Sequence, residues 1–137
     1  MPDRHGPLRT DMFLVEIDDV EVPGWTSAKL PASSTEPSDS GWGETIDQDL
    51  ELERVVQADD TLVYDWKEDV RSDDEEEGLR TVVVILYNEE GQPEIQWKFT
   101  NAWPAYYQPP QLGAASTESI ARERVVLAYE SMERQSI

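Results

Sequence analysis

Apolar and polar residues alternate with period two along most of this chain, and that rhythm predicts strands joined by short turns. Over Met12–Ile17, Phe13, Val15 and Ile17 share one face, opposite Met12, Leu14 and Glu16. Asp18-Asp19 is a turn dipeptide, and Val20 and Val22 resume the alternation, so this stretch reads as a hairpin. Pro23-Gly24 breaks the ladder, and Trp25–Leu30 supplies a further short strand. Residues 31–43 are rich in Ser, Pro and Gly and are expected to form an irregular loop, with Trp42 inside it. Glu44–Val56 then reads as one half-solvated strand. Its mostly apolar face carries Ile46, Gln48, Leu50, Leu52 and Arg54; Asp47, Asp49, Glu51 and Glu53 lie on the other.

The rhythm changes after Val56. Asp59 or Asp60 can cap a helix, and Leu62, Trp66 and Val70 recur every four residues as one apolar stripe, which predicts a helix over about 59–71. The acidic run Asp73–Glu77 must be solvated. Thr81–Tyr87 is a continuous β-branched stretch, the pattern of a buried strand. A loop over Asn88–Pro93 joins it to Glu94–Trp103, where Ile95, Trp97, Phe99, Asn101 and Trp103 alternate with Gln96, Lys98 and Thr100. Pro104, Pro109 and Pro110 mark a stiff extended connection. Residues 116–134 fit either a helix, through Ile120, Arg124 and Leu127, or a strand, through Val125, Leu127 and Tyr129. About six strands with one helix and short connections describe a mainly β fold: a small antiparallel barrel or two-sheet sandwich with a helix packed on it.

Leu, Ile, Val and Phe make up 30 of 137 residues, enough with five Trp and five Tyr for one modest core. Residues 1–11 read as a polar arm ahead of a single domain at 12–137. Thirty acids against 11 bases give a net charge of −19. Nucleic-acid binding through clustered cations is disfavoured. Such a charge repels itself in dilute salt, yet at molar salt the screening length falls to about 3 Å. With Lys29, Lys67 and Lys98 as its lysines, the composition fits the salt-rich cytosol of a halophile, an ordinary acidic protein being the alternative. The N-terminal ten residues have no apolar segment of the signal-peptide kind, and Val82–Leu86 is far short of the ~20 residues that span a bilayer, so membrane binding is not expected.

Candidate chemistry is thin. There is no Cys, hence no disulfide or thiolate-ligated metal, and His5 in the arm is the one His, so no Ser–His–Asp or Cys–His arrangement has a base. Carboxylate pairs are inevitable among 30 acids and carry no signal of their own. Asp47, Asp49, Glu51 and Glu53 lack the Gly and spacing of an EF-hand loop, and Gly41-Trp42-Gly43 lacks the Lys of a phosphate loop. No catalytic, cofactor or metal site is expected. Trp66, Trp97 and Trp103 lie on apolar faces and read as core; Trp25 and Trp42 flank the loop, either as local packing or as anchors in a protein–protein interface.

Trp97-Lys98-Phe99-Thr100-Asn101-Ala102-Trp103-Pro104 resembles a W-x-F-x-N-A-W-P stretch of the tail-tube proteins of contractile-tail bacteriophages and related injection systems. Phe13–Asp18 with Val20, the Pro23-Gly24-Trp25 exit, Trp42–Thr45 through the L-x-L-x-R run at Leu50–Arg54, Asp60–Trp66 and Leu127–Glu130 resemble the same family in the same order. The chain departs from it in a shorter segment between Trp25 and Trp42, and in Val55 where a Gly commonly follows. The resemblance implies a strand within 116–134 and a structural, non-enzymatic role: hexameric rings stacked into a hollow tube inside a sheath. The implied partners are further copies, sheath, baseplate and tube-initiator proteins, and passing DNA or protein cargo, with assembly in the cytoplasm. It also implies core roles for Phe13, Val15, Ile17, Trp66, Trp97, Phe99, Asn101, Trp103 and Pro104, and subunit contacts by Trp25, Trp42, Gly43, Leu52 and Arg54. A monomeric acidic binding module, such as a DNA mimic, is the competing expectation.

Overall fold

The computed structural model describes residues 8–39, 41–46, 49–71, 78–113 and 120–137. In chain order the elements are β1 (Phe13–Ile17), β2 (Val20–Val22), β3 (Trp25–Lys29), β4 (Ser33–Ser38), β5 (Gly41–Ile46), β6 (Leu50–Val55), α1 (Leu62–Arg71), β7 (Arg80–Tyr87), β8 (Pro93–Gln108), β9 (Arg122–Ala128) and β10 (Ser131–Ser136). The mainly β fold with one helix matches the expectation. β1 and β2 pair antiparallel with Ile17 opposite Val20. Asp18 and Asp19 both take positive φ, +51° and +66°, as a two-residue turn compatible with strand twist requires. The Asp18 carboxylate accepts the Thr81 N–H at 3.0 Å, tying the turn to β7.

Eight strands form one sheet in the order β2-β1-β7-β8-β9-β6-β3, with β10 also paired to β8. The sheet folds on itself because β8 serves both halves. Its first part pairs with β7 and β10; from Trp103 onward it pairs with β9. Ser131 stands opposite Thr100 and Ala128 opposite Trp103, so β9 and β10 run along β8 in one register and bend with it. Asn101 sits at the bend with φ +53°, and its amide donates to Glu130 Oε2 at 2.6 Å. Asn tolerates the left-handed region better than other L residues, which makes it suited to this corner.

The bend corrects the expected face of this strand. Val82 faces Phe99 and Arg80 faces Ala102, so β8 carries one residue more than β7 across that step. Such a bulge exchanges the two faces beyond it. Phe99, Ala102 and Pro104 are therefore buried, while Asn101 and Trp103 are only half-buried. The strand also continues through Pro104 to Gln108 rather than ending there, since a second register shift between Pro104 and Tyr106 accommodates a residue without an N–H.

The core lies between the two halves. Val15, Ile17, Val82, Val84 and Phe99 from one side meet Leu50, Leu52, Val125 and Leu127 from the other. β7 is central in its half, so Val83 and Ile85 are covered on its outer face as well; this explains its unbroken apolar run. Helix α1 adds Val63 and Trp66, with Leu62 and Val70 packed at the margin of the core. Asp60 caps it by accepting the Leu62 N–H at 3.1 Å. Trp66 Nε1 donates to the Gly78 carbonyl at 2.8 Å, satisfying a donor that burial would otherwise strand.

The expected irregular loop at 31–43 is instead mostly a β-hairpin. β4 and β5 pair over six positions, Ser33 opposite Ile46 through Ser38 opposite Gly41. It forms a separate two-stranded sheet, so Pro37 need not supply an N–H to a third strand, and Gly41 takes a φ of +120° that suits only glycine. β5 ends at Ile46 and β6 begins at Leu50, so Glu44–Val56 is not one strand. The ambiguous C-terminal stretch is β9 and β10, strands rather than helix, because pairing with β6 and β8 outweighs local propensity. His5 and the acidic run 73–77 lie outside the described residues.

Candidate assembly surface

The expected core residues occupy distinct places. Val15, Ile17, Trp66 and Phe99 are buried, with Phe99 edge-to-face on Tyr129 at 5.0 Å. Phe13 and Trp97 are only partly buried; with Ala28, Leu30, Val84 and Leu86 they line a groove of about 370 Å³. Trp103 borders a shallow depression beside Val70, Gly78 and Leu79.

The expected contact residues divide. Trp42 stands opposite Pro37 and Gly43 opposite Glu36 in the β4–β5 hairpin, which pairs with no other strand among the described residues. Leu52 and Arg54 do not fit a subunit surface: both are 1% exposed inside the protomer. The face of β6 that carries them turns inward to the core between the two half-sheets. Trp25 is half-buried against this interior, with the Arg54 guanidinium 5.3 Å from its ring centroid.

Arg54 is the hub of a buried ionic network that was not anticipated. Its Nη2 donates to Asp60 Oδ2 at 2.7 Å, and its Nε lies 3.2 Å from Glu123 Oε1, off the hydrogen-bond axis. Glu123 Oε2 accepts the Tyr107 hydroxyl at 2.6 Å, and Tyr107 meets the Tyr64 ring edge-to-face at 6.5 Å. Lys67 Nζ lies 4.4 Å from the Tyr64 ring centroid. The network thus leaves α1 at its cap, passes through β6, β9 and β8, and returns to α1. The Arg54 side-chain hydrogen bond holds the Asp60 carboxyl below its ordinary value. Burial, followed by the bond to Glu123, pushes Tyr107 up to about 12. Asp60 was legible as a cap; Glu123 and Tyr107 lie too far along the chain for any local pattern to connect them to Arg54.

This arrangement ties α1, β6, β9 and β8 together. Asp60 is engaged by the Arg54 guanidinium, and Glu123 by that guanidinium and the Tyr107 hydroxyl. Among the described residues, no group of three metal-ligating side chains is close enough to hold an ion, and no helix is long and apolar enough to cross a membrane.

Backbone edges are another feature of the surface. β10 pairs only with β8, and β2 only with β1, so the half-sheet β2-β1-β7-β8-β10 has a free edge at each side among the described residues. An unpaired edge is a ready template for another chain.

The family model described as "T4-like virus tail tube protein gp19" matches residues 12–133. No curated protein sequence matches the chain significantly. Among solved structures, the chain is similar to the anti-feeding prophage cap (AFP tube terminating cap) at 23% identity and a TM-score of 0.74, covering 100% of this chain and 96% of that one. It is similar to a chain of an extracellular contractile injection system, the PVC sheath-tube complex in its extended state, at 20% identity and a TM-score of 0.74, over 96% and 93% of the two chains. Hcp1 from Flavobacterium johnsoniae aligns at 11% identity and a TM-score of 0.65, over 92% and 98%. At these identities the structural likenesses establish the fold.

Proposed function

Because the chain belongs to the T4-like virus tail tube protein family, it is a structural inner-tube subunit of a contractile tail or injection system, and we propose that its copies close into six-membered rings that stack into a hollow conduit. The observation that carries this reading is the family match over 12–133, on a fold shared along nearly the whole chain with a sheath-tube complex. The physics agrees. A head-to-tail contact that closes gives a ring, and ring on ring gives a tube. The sheath, baseplate and tube initiator are its proposed partners, and DNA or protein its proposed cargo; it needs no enzymatic step. The β4–β5 hairpin, a separate two-stranded sheet that includes Trp42 and Gly43, is the proposed contact between rings. A net charge of −19 would keep a polyanionic cargo from adhering to the bore and favours assembly in concentrated salt.

Negative-stain microscopy and sedimentation of the purified protein in molar KCl test the proposal. Stacked rings or tubes are the expected result. A species that stays monomeric across a wide dilution series, even with baseplate components present, refutes it.

A further inference from the structure

The Arg54 network uses only part of the hydrogen-bonding capacity of its central cation. A guanidinium carries five N–H donors and no acceptor. Nη2 donates to Asp60 Oδ2, and Nε lies near Glu123 Oε1 but off the hydrogen-bond axis. Nη1 is buried and meets no acceptor among the described residues. Trp25 Nε1 is a second buried donor in the same condition. The two donors belong together: the guanidinium lies 5.3 Å from the centroid of the Trp25 ring. Trp25 also stands opposite Arg54 in the register, where the β3–β6 pairing becomes irregular. With Arg54 1% exposed, bulk solvent does not satisfy its nitrogens. Buried donors are almost always paired, and a bare charged one costs more than a bare neutral one.

We infer that one internal water molecule sits between these side chains and accepts from both Arg54 Nη1 and Trp25 Nε1. The spacing suits it, because 5.3 Å is close to the span that one water covers with two hydrogen bonds of about 2.9 Å. The charge selects it over an anion. Asp60 and Glu123 set two carboxylates against one guanidinium, so a chloride there would add a further negative charge to an anionic site. Water is neutral, and its own two hydrogens suit a place with carboxylate oxygens at hand. Buried waters typically make about three such bonds to groups that would otherwise be left unpaired. Solvent comes to the edge of the network as well: Glu123 borders a polar cleft of about 190 Å³ with Gln108, Arg122 and Arg124.

The water extends the network to β3, which pairs only with β6 among the described residues. β3 ends at Lys29 and the β4–β5 hairpin begins at Ser33, so the strand that feeds the hairpin is held to the hub through Trp25. This water belongs to the folded protomer, whether or not copies assemble.

Nuclear magnetic resonance on the isotope-labelled, unassembled full chain tests this. The five tryptophans give five indole N–H signals, and Trp25→Phe identifies the one from Trp25. That proton should show a cross-peak to water whose sign reverses between laboratory-frame and rotating-frame experiments, as a long-lived internal water gives. The signal should stay in place when KCl is exchanged for KBr at fixed ionic strength. Arg54→Lys keeps the charge but removes the Nη1 donors, and should weaken the cross-peak. A missing cross-peak, or one with the unchanged sign of a fast-exchanging surface water, would overturn the inference. A saturable shift with bromide would overturn it too, by making the ligand a halide. A cross-peak of full strength in folded Arg54→Lys would remove Arg54 from the site.

Discussion

Replacing Arg54 by Met should be the most damaging single change in the interior, for a reason that can be checked by pH. The Arg54 side chain is 1% exposed, Glu123 8% and Asp60 31%. Removing the cation leaves Glu123 almost wholly dehydrated beside a second carboxylate, and breaking a buried pair from one side costs about 3–5 kcal/mol. Most of that belongs to Glu123, because Asp60 keeps partial access to water. Against a total of about 5–15 kcal/mol for a domain, the loss is a large fraction of the stability. With a urea slope of about 1–3 kcal/mol/M, the midpoint falls by roughly 1–5 M. The sign with pH follows from Asp60. Its folded value is depressed below the ordinary 3.8, so its bond to Arg54 stabilises the protein above about that pH and is lost as pH falls through the depressed value. The gap between parent and variant is therefore full at pH 7 and narrows in acid. Urea titrations of unassembled protein at pH 7 and pH 3, followed by tryptophan fluorescence, measure it. Adding Glu123→Gln to the variant should recover part of the loss by removing the dehydrated charge. A loss below about 1 kcal/mol at pH 7, or a gap that does not change with pH, would refute the hub.

Substitutions at three further positions probe other joints. Asn101→Ala should cost about 1–3 kcal/mol in chemical denaturation, from a φ of +53° that Ala resists plus the lost bond to Glu130, whereas Asn101→Gly should cost less because it relieves the backbone. Gly78→Ala places a Cβ 2.7 Å from Val70 Cγ2 and 3.1 Å from Val70 Cα; separating Gly78 from α1 should lower stability by about 1–3 kcal/mol and raise the solvent exposure of Trp66 by fluorescence quenching. Tyr107, raised to about 12, contributes stability below its unfolded value near 10 that is lost as pH rises through about 12. Tyr107→Phe should therefore flatten the alkaline limb of a stability–pH profile between those values; an unchanged limb would count against the Tyr107–Glu123 bond.

Period-two patterning was sufficient wherever one strand face meets the core and the other meets solvent. Phe13–Ile17 with its Asp-Asp turn, Leu50–Arg54, and the Val82–Ile85 run all lie where alternation or its absence places them. Patterning misled where backbone geometry changes the count. At Asn101 a single extra residue exchanges the faces, so the indole of Trp103 leaves the core while Ala102 and Pro104 enter it. Composition misled at Ser33–Ile46, because a ribbon with two free outer edges tolerates Pro and Gly that a central strand would reject. Arg54 shows the limit of reading a site from one element. Alternation placed its side chain with Leu50 and Leu52, but only the return of β9 and the cap of α1 supply the carboxylates that let a guanidinium sit there. Of the subunit contacts that the resemblance implies, Leu52 and Arg54 therefore lie in the interior, and the edges unpaired among the described residues, a property of pairing order rather than of any residue, were invisible to the pattern.

These two features, the interior network and the exposed edges, meet in β8. Its first part belongs to the half-sheet whose β2 and β10 edges are free, and its second part carries Tyr107 into the Arg54 network and packs against α1. The bend at Asn101 therefore sets the angle between an ionically pinned half and the half whose β2 and β10 edges are unpaired among the described residues. A closed ring requires each subunit to turn the sheet by the same angle, and a small error repeated at every join prevents closure. Burying an Arg with two carboxylates is a poor route to stability compared with well-packed apolar side chains, yet it fixes directions that apolar contacts leave adjustable. In the proposed ring that trade is physically sensible: the charges hold α1, β6, β9 and the end of β8 in one relation, and the Asn101–Glu130 bond carries that relation across the corner to β10.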